Sequence, residues 1–263
     1  MRKRFLTTLI AALILTSLTG CWDRREVTDL AIAVAIGIDK NDDGEYIIST
    51  QILNPAENAP TIGGGAGYDS PVTTYNMTGR IMSEALSKLL KDIPRRIYLA
   101  HLRMVVIGED VAKEGIYDVL DFLSRNHEVR PDFYVVVTKE HTAKETLSIL
   151  TSLNKIPATK LFTSLEDSSE MGAVTRKVRL TELIDDMVSE GTEPTLTGVM
   201  IKGDTKAGAE KDNVQSISQK AILSYDGIAV FRENKLIGWL NEQESKGLNY
   251  IKGNVQRTFI VLI

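Results

Sequence analysis

The sequence is poor in the residues that most often build reactive or cross-linked sites. One cysteine in 263 residues excludes an intrachain disulfide. The three histidines, His101, His127 and His141, stand far apart, with no two at the spacing that sets ligands on one helix face. With a single cysteine beside them, they leave little from which to build a zinc site. Neither G-x-S-x-G nor H-E-x-x-H occurs. No basic stripe offsets the acids, since 31 Lys and Arg face 35 Asp and Glu, so a nucleic-acid partner is excluded. Aromatic residues make up only 6%, which argues mildly against a pocket built to hold a small solute. These absences predict a binding or structural protein that is not an enzyme and uses no metal or cofactor.

What remains is ordinary globular material, 43% hydrophobic and 25% charged. The length allows one large domain or two small ones. The first twenty residues are different. Arg2, Lys3 and Arg4 precede an uncharged, mostly apolar run from Phe5 to Gly20. That is the pattern of a cleaved leader, short for a membrane span. It ends in Leu18-Thr19-Gly20-Cys21, which resembles the bacterial lipobox: an aliphatic residue, two small ones, then the cysteine that takes the lipid. Lipidation of Cys21 is therefore expected to hold the mature chain on a membrane without a spanning helix. Loss of the leader lowers the basic count from 31 to 28 against 35 acids, a mature balance of −7. A net acidic body gains nothing from an anionic surface, so the lipid has to do the anchoring.

Along the mature chain, the apolar stretch ending at Asp39 and the run around Ile47 to Leu53 read as two strands joined at Asn41-Asp42-Asp43-Gly44. Asp39, Asn41, Asp43 and Gly44 also match the first half of a calcium loop, but Thr50 stands where a bidentate Glu is needed. Asn54 to Gly79, with three prolines and Gly63-Gly64-Gly65-Ala66-Gly67, reads as a loop. Helical spacing follows from Ile81 to Leu90, with Pro94 closing it. A strand at Leu102–Gly108 and a helix capped by Asp110 come next. Then follow a strand at Phe133–Thr138 and a helix opened by a Thr142/Glu145 capping box. Two further helices reach Gly191 and Pro194. Beyond Thr195 short strands take over, with Asp226-Gly227 predicted as a hairpin turn and Gly203–Ser218 as a polar loop. Asn241 is placed to cap a last short helix. The bare apolar end, Thr258 to Ile263, suggests truncation of something longer.

Two basic clusters are candidate contacts for an acidic partner surface. Arg95 and Arg96 lie near His101 and Arg103, while Arg125 and Arg130 bracket Asn126-His127-Glu128. The competing reading is ion pairing within the fold.

Four stretches together resemble one family, the Ger(x)C lipoproteins, which are C subunits of nutrient germinant receptors in endospore formers. They are Gly20-Cys21-Trp22-Asp23-Arg24-Arg25-Glu26 with Ile36-Gly37-Ile38-Asp39; His101 to Glu109 with Gly115-Ile116; Phe122 to Arg125 with Glu128-Val129-Arg130 and Phe133 to Val137; and Gly198-Val199 with Gly227 to Phe231 and Leu236 to Leu240. The resemblance implies a non-enzymatic, multi-domain α+β protein of mixed sheets packed with helices. It implies a lipid-anchored place on the outer face of the spore inner membrane or cell membrane. It implies integral A and B subunits as partners, with membrane lipid engaged through Cys21. It also leads to expected bounds: a signal peptide at 1–20, an N-terminal α+β domain at 21–194 and a smaller, incomplete one at 195–263. The stretch ending at Ile263 is expected to lack the family's third domain. Two rival readings stand beside this one, a lipid-anchored solute-binding protein that captures the nutrient itself and a surface hydrolase, for which no catalytic residues present themselves.

Overall fold

Residues Leu30–Lys40 and Tyr46–Leu53 form β1 and β2, an antiparallel pair turning at Asn41–Gly44 as their pattern predicts. Gly44 supplies the positive φ (78°) that the tight turn needs, and its N–H closes on Asn41 O at 2.9 Å. The strand flanks and this turn dispose of the calcium-loop pattern. The structure, a computed structural model, describes residues 1–8, 26, 29–54 and 70–258. The chain separates into two units, Met1–Leu30 and Ala31–Ile263. In the first, residues 2–8 are helical. Leu18, Thr19, Gly20 and Cys21 lie outside the described residues, as do Gly63–Gly67 and the apolar terminus from 259 on. Among the described residues no helix is long and apolar enough to cross a membrane.

The second unit is built on a nine-stranded sheet in the order β3-β2-β1-β5-β6-β7-β8-β9, with β4 added beside β1. The remaining strands are β3 (Val72–Gly79), β4 (Arg96–Tyr98), β5 (Met104–Ile107), β6 (Tyr134–Thr138), β7 (Thr195–Gly203), β8 (Ala221–Arg232) and β9 (Lys235–Leu240). β1, β5, β6 and β7 run parallel at the centre, and antiparallel hairpins flank them. The short apolar runs of β5 and β6 are buried on both faces, as central parallel strands must be. Val105, Ile107, Val135 and Val137 join one core, while Met104, Val106, Tyr134 and Val136 join the other.

Helices cover both faces. α1 (Met82–Asp92), α2 (Glu109–Glu114), α3 (Tyr117–Arg125) and α6 (Leu180–Val188) bury Leu89, Val111, Leu123 and Leu183 in the first core. α4 (Ala143–Ser148) and α5 (Pro157–Met171) bury Leu147, Leu161 and Leu165 in the second. This is the expected α+β class, a mixed sheet with packed helices. α7 (Thr205–Gly208) and α8 (Asp212–Gln215) are short turns inside the stretch expected to be a loop, and α9 (Glu242–Ile251) closes the described chain.

Several local expectations change. Val72–Gly79 is a strand, paired with β2 along its whole length from Leu53↔Val72 to Tyr46↔Gly79. The prolines and glycines before it masked its Thr- and Tyr-rich pattern. The helix expected from Asp110 starts one residue earlier, behind Gly108, and breaks at Gly115. There the N–H of Ile116 leaves the helix and donates to Asn234 O at 2.9 Å.

Asp226-Gly227 is not a hairpin turn. β8 runs straight through it, and the pairing with β7 shifts there, from Thr197↔Ile228 to Val199↔Tyr225. The extra residue is a β-bulge with Gly227 at φ 70°. The real hairpin turn is Glu233-Asn234, between Arg232 and its partner Lys235. The expected boundary at 194/195 falls inside this sheet, because β7 pairs with β6 on one side and β8 on the other. Hydrogen bonding continues across it, so Ala31–Ile263 is one unit.

Candidate functional site

The carboxyl ends of parallel strands are where open sheets of this kind usually bind ligands. Here β1 ends at Asp39-Lys40, β5 runs into Gly108-Glu109, and β6 runs into Lys139-Glu140-His141. They enclose a cleft of about 230 Å3. Sites for small molecules usually span roughly 300–1,000 Å3.

The cleft is occupied by its own polar groups. Asp39, 4% exposed, accepts from the N–H of Ala143 at 2.7 Å and of Lys144 at 2.8 Å. Thr142 Oγ1 accepts from the Glu145 N–H at 3.0 Å, and the Glu145 carboxylate returns to the Thr142 N–H at 2.9 Å. The free donors at the start of α4 are thereby satisfied by carboxylate and hydroxyl of the same chain. Burial pushes the Asp39 carboxyl above its usual value; the two N–H donors pull it down, but not back to it. Burial also works to raise Glu109, but is outweighed there. The Glu140 N–H, the Lys113 ammonium and the Trp239 indole N–H, which donates to Glu109 Oε1 at 3.3 Å, hold it below the usual range. Lys139 pairs with Asp226 at 2.5 Å and stands 5.7 Å from the Trp239 ring. Among the described residues no group of three His, Cys, Asp or Glu could hold a metal ion.

A larger, shallower groove of about 590 Å3 runs between α1 and α3, lined by Tyr46, Ile81, Met82, Phe122, Arg125 and His127. Ile81 and the nearby Tyr117 are each 60% exposed, so apolar surface is offered to solvent here.

The predicted arginines separate into two kinds. Arg96 pairs with Glu128, which draws the two basic clusters together. Arg125 Nε binds Asp121 Oδ1 at 2.6 Å, one helical turn away. Arg95 and Arg130 are exposed and make no ion pair among the described residues. Arg95 borders a hollow with Ala31, Tyr75 and Pro94. His101 meets Tyr98 edge-on at 5.4 Å, His127 lines the α1–α3 groove, and His141 contacts Ile201 O across 3.2 Å; the three do not converge.

Sequence reasoning missed Arg176. It is buried, and its guanidinium reaches Asp186 Oδ2 at 2.9 Å, Glu182 Oε1 at 2.5 Å and Thr195 Oγ1 at 2.7 Å. Asn249 of α9 donates to Ala173 O at 2.8 Å and Thr175 O at 3.2 Å, tying the last helix to the same segment. No periodic pattern surrounds Arg176, so only its distant carboxylates would have marked it.

The family described as spore germination protein N-terminal domain matches residues 23–201. The chain belongs to the Ger(x)C family of spore germination proteins. A second family description, spore germination B3/GerAC like, C-terminal, matches residues 226–263, beginning at the β8 bulge. Spore germination protein KC of Bacillus subtilis (strain 168) is 40% identical over 96% of this chain and 63% of its own length. The putative spore germination protein YfkR of the same organism is 31% identical, over 99% of this chain and 65% of its own. The chain thus spans a little under two thirds of the length of the curated relatives it matches. The crystal structure of the GerBC protein overlaps 84% of this chain and 56% of its own, at 17% identity and a TM-score of 0.33. Membership of the Ger(x)C family supports a role in spore germination.

Proposed function

We propose that this Ger(x)C protein is a non-enzymatic, lipid-anchored subunit of a germinant receptor, acting with membrane-embedded A and B subunits. The observation that carries the reading is the 40% identity to spore germination protein KC across nearly the whole chain. The anchor is the lipid on Cys21, on the outer face of the spore inner membrane or cell membrane. It concentrates the body beside integral partners and strengthens weak contacts by raising their effective concentration. The partners' contact surface includes the apolar groove between α1 and α3 and the arginines beside it. Ligand-dependent change in the assembly then biases commitment to germinate.

Spores lacking the gene, exposed to single nutrients and to a non-nutrient trigger, test this reading. Selective loss of one nutrient response is expected, restored by the wild-type gene and restored poorly by Cys21→Ala. An unchanged response to every nutrient would reject a working receptor subunit. A second reading, capture of the nutrient itself, has the volume of the α1–α3 groove in its favour. Saturable micromolar heat with a nutrient in calorimetry would support it.

A further inference from the structure

β3 and β9 stand at the two ends of the strand order and are protected differently. An outer strand offers unpaired N–H and C=O groups, and natural proteins guard such edges with charge, proline, a bulge or a covering element. β9 has several of these guards. It is 6 residues long, opens with Lys235, carries an extra residue at Ile237 in its pairing with β8, and lies against α2. β3 lacks charge, proline and bulge. Its 8 residues, Val-Thr-Thr-Tyr-Asn-Met-Thr-Gly, pair with β2 in one unbroken register.

That register fixes where each backbone group of β3 points. The Asn54 N–H donates to Pro71 O at 2.8 Å, in line with the pairing that starts at Leu53↔Val72. Hydrogen-bonded pairs alternate with non-bonded pairs along an antiparallel ladder. Thr73, Tyr75, Met77 and Gly79 therefore bond to β2, while Val72, Thr74, Asn76 and Thr78 turn their N–H and C=O groups outward. Two side-chain contacts agree with this. Ser70 Oγ donates to Val72 O at 2.8 Å, and Lys88 Nζ donates to Thr78 O at 2.8 Å. Between these two caps, among the described residues, no hydrogen bond reaches the outward backbone groups of Thr74 and Asn76. Asn76 and the neighbouring Thr73 are exposed.

We propose that β3 is a dimerisation edge, at which the sheets of two copies of this chain join antiparallel about a two-fold axis at Tyr75. The argument for a second copy is that the edge complements itself. In that register Val72 lies opposite Thr78 of the second copy and Thr74 opposite Asn76 of the second copy, so every outward position of the strand meets another. Shifting by one step of the ladder leaves an outward residue of β3 beyond the end of its partner strand. Each bonded pair exchanges two hydrogen bonds, about eight in all once the Ser70 and Lys88 caps give way. The rows between them set Tyr75 against Tyr75 and Thr73 against Met77, and no like charges oppose each other. A two-fold contact of this kind closes after two copies and leaves no further β3 edge open. The inference concerns the body of the chain and does not depend on the anchor at Cys21.

Sedimentation of the full chain in detergent is expected to show monomer and dimer in concentration-dependent proportion, with the micromolar affinity that suits a short interface. Thr74→Pro removes one outward N–H from each copy. Proline is tolerated in an edge strand where its nitrogen faces away from the sheet. The dimer should weaken at least about 10-fold, since it loses two hydrogen bonds. Unchanged circular dichroism checks that this variant folds; Asn76→Pro, which removes a second outward donor, serves if it does not. Cysteine cross-linking then reads the register. Tyr75→Cys sets two thiols directly opposite at a non-bonded position, with about 4.5 Å between Cα atoms, within reach of a disulfide. Thr73→Cys sets them about 14 Å apart, beyond that reach. Mild oxidation should join the first variant and not the second, with wild type, whose one cysteine is Cys21, as the background.

A chain that stays monomeric up to about 100 μM overturns the proposal, and leaves the edge to its own residues 55–69 or to a strand of another protein. A dimer that survives both proline variants also overturns it, because the copies then meet at another surface. So does a dimer that cross-links no better at position 75 than at position 73, because the strands then pair in another register.

Discussion

Asp39 and Ala143 stand 104 positions apart in the chain and meet at 2.7 Å, carboxylate oxygen to backbone N–H. The carboxylate at the end of β1 thereby does for α4 what an anion from solution could have done. It joins the first strand of the sheet to a helix that follows the sixth. The space beside it is closed further by Gly108, where an added Cβ would come within 2.3 Å of Asp39 Oδ1.

Removing that carboxylate leaves the buried N–H of Ala143 and the neighbouring N–H of Lys144 unpaired. Asp39→Ala should destabilise the protein by about 2–3 kcal/mol, combining a lost cap with unpaired donors. Asp39→Asn keeps one acceptor oxygen and should cost less. Urea unfolding of the two variants checks the order; equal midpoints for wild type and Asp39→Ala would remove the cap from the account.

The same residue predicts a pH dependence. Asp39 binds its proton more readily in the fold than in the unfolded chain, because its carboxyl is raised from the ordinary 3.8. Its contribution is fully present below that value and is lost as pH rises through the folded one. The stability of wild type relative to Asp39→Asn should therefore decline as pH climbs from acid to neutral. Midpoints measured for both proteins across that range would show it, and an increase instead would reverse the assigned sign.

Gly227 carries the bulge in β8. Its φ of 70° and the approach of an added Cβ to within 2.4 Å of Leu240 O leave no room for a side chain. Gly227→Ala should cost at least about 2 kcal/mol, from strain and disruption of the β8–β9 pairing. Trp239 sits in that pairing, so its fluorescence should shift along with the lowered thermal midpoint.

Arg176 neutralises Asp186, whose side chain is 15% exposed, and Glu182, which is 44% exposed. Arg176→Met leaves the Asp186 charge without its partner and should destabilise by about 3 kcal/mol. Arg176→Met with Asp186→Leu should recover most of that. A double-mutant cycle in chemical unfolding measures the coupling, and additive losses would show that the pair acts independently.

The arginines show how much of the surface was legible. Proximity in sequence pointed to two basic clusters, and the fold spends half of them internally: Arg96 on Glu128 and Arg125 on Asp121. The second pair could be read from helical spacing. The first depends on the β4 segment passing beside the loop after α3, which no local pattern encodes.

Short-range physics was written in the sequence and is seen in the structure. The Asn41–Gly44 turn, the capping boxes of Thr142 with Glu145 and of Asn241 with Glu244, and the apolar runs of β5 and β6 all act within a few residues. The family, too, was legible in motifs spread along the chain. Tertiary structure alone decided what Asp226-Gly227 does. The dipeptide favours φ > 0 whether it turns a hairpin or bulges a strand. The choice fell to β7, which pairs with the residues on both sides of it. It likewise decided the partners of Asp39 and Arg176. A buried polar group bonds whatever the strand order brings to it, and that order is set by burying both faces of the central strands.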